Sequence, residues 1–295
     1  MNLPHYLADR KDQIDRFLDQ WLPGESKSPE RLNRAIRYSM LEGGGKRIRP
    51  ILALAAAEAV GGTIETVMPF AGCLECIHTY SLIHDDLPAM DDDNMRRGKP
   101  TCHRAFDEAT AILTGDALLT LAFEWMATPI PNINPTEQLA VISQLAKATG
   151  LAGMVGGQMM DIQSENSYLE LIQLQNIHIH KTGALIRIAC IGGARLAGGS
   201  TEQIYALKRY GEAIGLAFQI VDDILNETGD TATMGKPVGS DRRKTKSTYP
   251  SVLGLPQSQQ EAKNLLDEAL RCLESFPQSA DPLRSIAQFI VSRTY

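Results

Sequence analysis

"FAGCLECIHTYSLIHDDLPAMDDDNMRRGKP", residues 70 to 100, runs from an apolar stretch into five aspartates and then at once into Arg96, Arg97 and Lys99. In its first half Phe70, Leu74, Ile77, Ser81 and His84 recur at three and four and fall on one helical stripe, with Cys73, Tyr80 and Ile83 on its flank. Pro88 has no N–H to donate and its ring clashes one turn back, so the helix ends before it. The aspartates therefore sit where a helix runs out. Elsewhere Ala, Leu, Ile, Met, Glu and Gln dominate and alternating β-branched runs are scarce, which predicts an all-α protein. A chain of 295 residues, 43% of them hydrophobic, with no low-complexity tract, is expected to form a single domain over residues 1–295.

Breaks fall at "TPIPNINP" (residues 128 to 135) and at "LAGGST" (196 to 201), where a glycine closes one helix and Ser200 or Thr201 caps the next. In "GLAGMVGGQMMD" (150 to 161), Gly153, Gly156 and Gly157 lie inside a helical pattern. Each costs about 1 kcal/mol relative to Ala, so a neighbouring helix or a ligand is expected to come close there.

A net charge of −6 leaves no broad basic field for nucleic acid. The opening "MNLPHYLADRKDQIDRF" alternates charges without the apolar centre of a leader, and no later stretch is expected to reach the roughly 20 apolar residues of a membrane helix, so a cytosolic location is expected. Five cysteines make no disulfide framework, and Cys73 and Cys76, a CxxC without a second pair, read as core thiols rather than a zinc site.

A second acidic segment, "GLAFQIVDDILNETGD" (215 to 230), repeats the design. Asp222 and Asn226 share a helical face with Gln219, as His78, Ser81 and Asp85 do in the first segment. Adjacent carboxylates at the mouth of an apolar space repel one another and need a cation. Oxygen donors alone suit Mg²⁺. Calcium in an EF-hand is excluded because "DDDNMRRGKPTC" lacks the glycine at loop position six and the closing glutamate. The complementary cations are Lys46, Arg47 and Arg49 in "LEGGGKRIRP", Arg96 and Arg97, Lys181 in "HIHKTGAL", and Lys236, Arg242, Arg243, Lys244 and Lys246 in "MGKPVGSDRRKTKSTYP" (234 to 250). They fit polyanionic ligands, one held through metal and one directly. His178 and His180 point apart on a helix and read as structural or surface residues.

In this order, "GGGKRIRP", "HTYSLIHDDLPAMDDDNMRRGKPTCH", "LTGDALL", "GMVGGQMMD", "HKTGALI", "FQIVDDILNETGD", "GKPVGSD" and "KSTYPSVLG" resemble the trans-type isoprenyl diphosphate synthases, most closely the bacterial farnesyl diphosphate synthases. The resemblance implies a helical fold around a deep cavity, a homodimer, three Mg²⁺ ions and two diphosphate substrates. It implies Asp85, Asp91 and Asp222 as metal ligands supported by Asp86 and Asp223. Arg96, Lys181 and Lys236 would hold the allylic diphosphate, and Lys46, Arg49, His78 and Arg97 isopentenyl diphosphate. Thr182, Gln219 and the carbonyl of Lys181 would face the allylic cation, with Lys246 joining as the loop 234 to 250 closes. Tyr80, five residues or about 7.5 Å of helix before Asp85 and next to Ser81, would floor the product tunnel and favour fifteen carbons over twenty. Competing expectations are a geranylgeranyl diphosphate synthase, a non-catalytic subunit that modulates another prenyl synthase, and a terpene cyclase, which has no use for "GGGKRIRP". Two departures stand out: Asn226 where the family usually has a third aspartate, and Thr245 where glycine often precedes the lysine.

Overall fold

A computed structural model describes residues 1–24, 29–228 and 246–293. The regular elements are helical apart from one short hairpin, as the apolar spacing predicts. The helices are α1 (Leu3–Trp21), α2 (Glu30–Arg37), α3 (Ile48–Ala59), α4 (Ile64–Asp85), α5 (Cys102–Ala105), α6 (Glu108–Ala127), α7 (Pro135–Thr149), α8 (Met154–Gln163), α9 (Leu171–His178), α10 (Ala184–Leu196), α11 (Thr201–Thr228), α12 (Tyr249–Leu253), α13 (Leu255–Cys272) and α14 (Asp281–Ser292). Side-chain caps mark several starts: Asn2, Asp107 and Asn134 accept the backbone N–H of His5, Thr110 and Thr136.

Helix α4 lies between α3 and α6, while α10 packs on α3, α7 and α11, and α11 on α13. α4 ends at Asp85, ahead of Pro88 as expected, but it is no amphipathic surface helix. Val67, Phe70, Ala71, Cys73, Leu74, Cys76, Ile77, Thr79, Tyr80 and Ile83 are buried on all sides, so the predicted stripe is only part of a central helix. Cys73 and Cys76 are free core thiols.

Local departures from α geometry mark the stretches singled out in the sequence. Tyr38–Glu42 and Ile179–Gly183 are π turns, the first leading into the three glycines and the second carrying Lys181 and Thr182. After α4 the strands β1 (Met95–Arg96) and β2 (Lys99–Pro100) pair antiparallel. Their two linking residues, Arg97 (φ 53°) and Gly98 (φ 78°), both take the positive φ of a tight hairpin turn.

Pro135–Gln163 is long and apolar enough to cross a membrane by length and composition alone. The helix is interrupted between Thr149 and Met154, and Leu139, Leu151, Val155, Met159 and Ile162 are exposed along it.

Candidate active site

Backbone hydrogen bonds fold the first aspartate cluster back on itself. Asp91 donates its N–H to the carbonyl of Asp85 at 2.8 Å and Asp92 donates to Leu87, which returns the chain to the end of α4. Burial, with the nearby Asp91 and Asp86 carboxylates adding to it, pushes the Asp85 carboxyl up to about 6 against the opposing pull of Lys181 and Arg96. Asp86 is buried and receives the Arg96 guanidinium at 2.5, 2.9 and 3.0 Å.

Directly after Arg96 the hairpin turn delivers Arg97 to the glycine loop. Its Nη1 donates to the Gly44 carbonyl at 2.5 Å, and a Cβ on Gly45 would lie 2.7 Å from that nitrogen. Gly45 thus makes room for a guanidinium, a more specific role than flexibility. Arg47, at the head of α3 with φ 51°, is buried and donates to Glu75 (2.5 Å), Asp15 (2.8 Å) and the Met40 carbonyl (2.6 Å). It therefore braces the loop from inside.

A cavity of about 670 Å³ opens beside these elements. Lys46, Arg49, His78, Arg96, Arg97, Thr182, Gln219 and Asp222 all line it, so most of the predicted site residues share one space. Arg96, Thr182 and Gln219, expected at one substrate, stand there with Lys46, Arg49, His78 and Arg97, expected at the other. Burial, reinforced by the guanidinium groups of Arg49, Arg97, Arg96 and Arg47, holds the imidazole pKa of His78 well below its ordinary value and keeps the ring neutral. Burial also lowers the pKa of Arg49, whose Nε is buried without a partner.

Lys181 and Lys246 meet outside that lining. Both donate to one oxygen of Asp161, at 2.7 and 2.8 Å. Burial alone would raise the Asp161 carboxyl, but the two ammonium groups outweigh it and hold the group below the usual range. Lys246 in turn lies in the field of Asp91, and Lys181 in that of Asp85. Gly157 of α8 allows this: a Cβ there would sit 2.2 Å from the backbone nitrogen of Lys181. Tyr80 is buried with its ring edge-on to His84, 5.8 Å between centroids, and is absent from the lining of the large cavity. Ser81 donates to the His78 carbonyl at 2.8 Å. Lys236, Arg242, Arg243, Lys244 and Thr245 lie outside the described residues, as does most of the expected closing loop.

In the second acidic segment, burial pushes Asp222 up to about 6, with Asp223 adding to it and Arg293 and Arg49 opposing. Asp223 is held from both sides, by the Tyr249 N–H (2.9 Å) and by His178 Nε2 (3.2 Å), whose ring stacks on Tyr249. His178 is thus structural, as the sequence suggested. Arg293 and Asp161 went unassigned in the sequence reading. Asp161 does close the "GMVGGQMMD" stretch, whereas an arginine just past the last helix carries no signal of its own.

The donors fit a hard divalent cation: half-buried carboxylates whose pKa values are raised at Asp85 and Asp222, and oxygen donors only. Among the described residues no three His, Cys, Asp or Glu side chains cluster closely enough to hold a metal alone, so ligand oxygens would have to complete any such shell.

Residues 29–287 match the polyprenyl synthetase family model. The chain belongs to that family. It is 49% identical to the farnesyl diphosphate synthase of Escherichia coli, over 99% of each chain. It is 47% identical to the geranylgeranyl diphosphate synthase of Cyanophora paradoxa, over 99% of this chain and 97% of that one. The apo crystal structure of an FPP/GFPP synthase from Zymomonas mobilis superposes with a TM-score of 0.88 at 40% identity, over 99% of both chains.

Proposed function

We propose that this chain is a prenyltransferase that joins isopentenyl diphosphate head to tail with dimethylallyl and then geranyl diphosphate, giving farnesyl diphosphate and pyrophosphate. The observation that carries the reading is the single cavity in which Lys46, Arg49, Arg96 and Arg97 stand with Thr182, Gln219 and Asp222. With Arg47 and Arg293 also on its wall, six cations in one pocket of a net-acidic protein suit diphosphate oxygens.

Mg²⁺, which Asp85, Asp91 and Asp222 would hold, supplies neutralisation of the charge on the departing diphosphate. Arg96, Lys181 and Lys246, with Lys236 beyond the described residues, orient that diphosphate and share the charge it gains as the carbon–oxygen bond breaks. Arg96 is preorganised for this by its bidentate hold on Asp86. The Thr182 hydroxyl, the Gln219 amide oxygen and the Lys181 carbonyl turn negative ends toward the allylic cation. Lys46, Arg49 and Arg97 hold isopentenyl diphosphate, and neutral His78 adds a donor without adding charge. Its double bond attacks the cation, and the proton then lost goes to the released pyrophosphate. Exclusion of water protects the cation.

The proposal keeps Tyr80 as the floor that favours fifteen carbons, the cytosolic setting and the homodimer. Leu113, Leu139, Leu151 and Met159 are exposed on α6, α7, the following turn and α8, apolar side chains of the kind a second copy would cover. The test is a product assay with Mg²⁺, labelled isopentenyl diphosphate and dimethylallyl or geranyl diphosphate. Farnesol after dephosphorylation supports the reading. Geranylgeraniol would retain the chemistry and reject the floor. No Mg²⁺-dependent product would favour the modulatory-subunit alternative.

A further inference from the structure

Arg293 lies just past α14, its N–H on the Phe289 carbonyl at 3.0 Å. From there its Nη2 bonds the Asp222 carboxylate and the Phe218 carbonyl (3.0 Å), and its guanidinium sits 4.0 Å above the Phe218 ring. The side chain is only 9% exposed, yet its Nε is buried without a partner.

The rest of the second motif sharpens the point. Asp223 is engaged by Tyr249 and His178, and Asn226 brings no charge. Asp222 is therefore the carboxylate this motif offers to the cavity, and a monovalent cation of the chain already holds it. A guanidinium in contact with one carboxylate oxygen and a divalent ion on the same group repel each other strongly at that range.

We propose that Arg293 is an internal counter-ion that competes with the divalent cation for Asp222 and so sets how tightly the second motif takes metal. The inference rests on the reading of Asp222 as a metal ligand. Arg293 is suited to yield because it is incompletely bonded, unlike Arg47, which has a partner for each of its three guanidinium nitrogens. Displaced, it remains on the wall of a cavity rich in cations, where an incoming anion takes the place of the carboxylate.

The test uses Mn²⁺ as probe on the full chain without substrate, with free Mn²⁺ read by electron paramagnetic resonance. Arg293→Met is expected to tighten Mn²⁺ binding by roughly tenfold, the scale of one contact charge after solvent screening. Arg293→Lys should return affinity toward the wild type, and in an Asp222→Asn background Arg293→Met should change nothing. Arg293→Gln replaces the Met variant if thermal melting shows the latter unfolded. Unchanged or weaker binding in Arg293→Met, or tightening that survives Asp222→Asn, overturns the proposal. If Asp222→Asn weakens Mn²⁺ binding while Arg293→Met does not tighten it, only this inference falls. If Asp222→Asn leaves Mn²⁺ binding unaltered, the ligand role of Asp222 falls with it.

Discussion

Two arginines only two positions apart in "GGGKRIRP" should respond in opposite ways to the same substitution. Arg47 is 2% exposed and Glu75 3%, joined at 2.5 Å, with Asp15 and the Met40 carbonyl completing the arginine's bonds. Burial works against the Arg47 cation, but Glu75 and Asp15 outweigh it and raise its pKa above the ordinary arginine value. Arg47→Met strands a buried carboxylate, which costs about 3–5 kcal/mol. At roughly 2–3 °C per kcal/mol for a chain of this size, Tm should fall by roughly 6–15 °C. Adding Glu75→Met should recover most of the loss, because an apolar pair of similar volume replaces an ion pair. Arg49→Met removes a guanidinium whose Nε has no partner, so Tm should hold or rise while KM for isopentenyl diphosphate climbs roughly tenfold or more. Differential scanning calorimetry beside steady-state kinetics reads both. A fall below roughly 3 °C for Arg47→Met would refute the bracing role, with the same conversion applied. A fall in Arg49→Met as deep as that in Arg47→Met would refute the contrast.

Tyr80→Ala should shift products beyond fifteen carbons, and an unchanged profile in the labelled product assay would remove Tyr80 as the floor. Asp161→Asn should raise KM for the allylic diphosphate more than that for isopentenyl diphosphate, since it unties Lys181 and Lys246; equal changes in both would count against this role. Asp85 and Asp222 are both raised by burial to about 6, so the stability each contributes to the metal-free protein is present below the ordinary carboxylate pKa near 4 and is lost as pH rises through about 6. A cation binding them at pH 6 has to expel those protons. Mg²⁺ titrations in buffers of different ionisation enthalpy should therefore show proton release near pH 6 and little at pH 8, and equal release at both would contradict the shifts.

The sequence marks the end of α4 because Pro88 is a local steric stop, and it marks Gly157 as a close approach because glycine in a helix has a local cost. What approaches Gly157, the backbone of His180 and Lys181, depends on how α8 meets the second π turn, which no spacing along one segment encodes. The same holds for Gly45, which reads as a flexible loop residue until Arg97 is seated beside it. The stripe on α4 underestimates burial because periodicity is uninformative once a helix is surrounded. The hairpin is too short to alternate, and its Arg-Gly turn is hidden among charges. Arg293 is the plainest omission: its meaning comes from Asp222, seventy-one positions away in the chain.

The π turn at Ile179–Gly183 makes this part of the chain unusually sensitive to length. A π turn holds one residue more than an α turn, the helical equivalent of an insertion absorbed in place. Substituting within it alters a side chain, whereas deleting one residue would restore α geometry and move the turn's own side chains off the faces they now occupy, since each α-helical step turns by about 100°. Lys181 would lose its line to Asp161, and Gly183 its seat against Gly215, whose added Cβ would lie 3.0 Å from Gly183. Functional variants of this chain should thus tolerate changes of residue type across 179–183 far more readily than a change of one in their number.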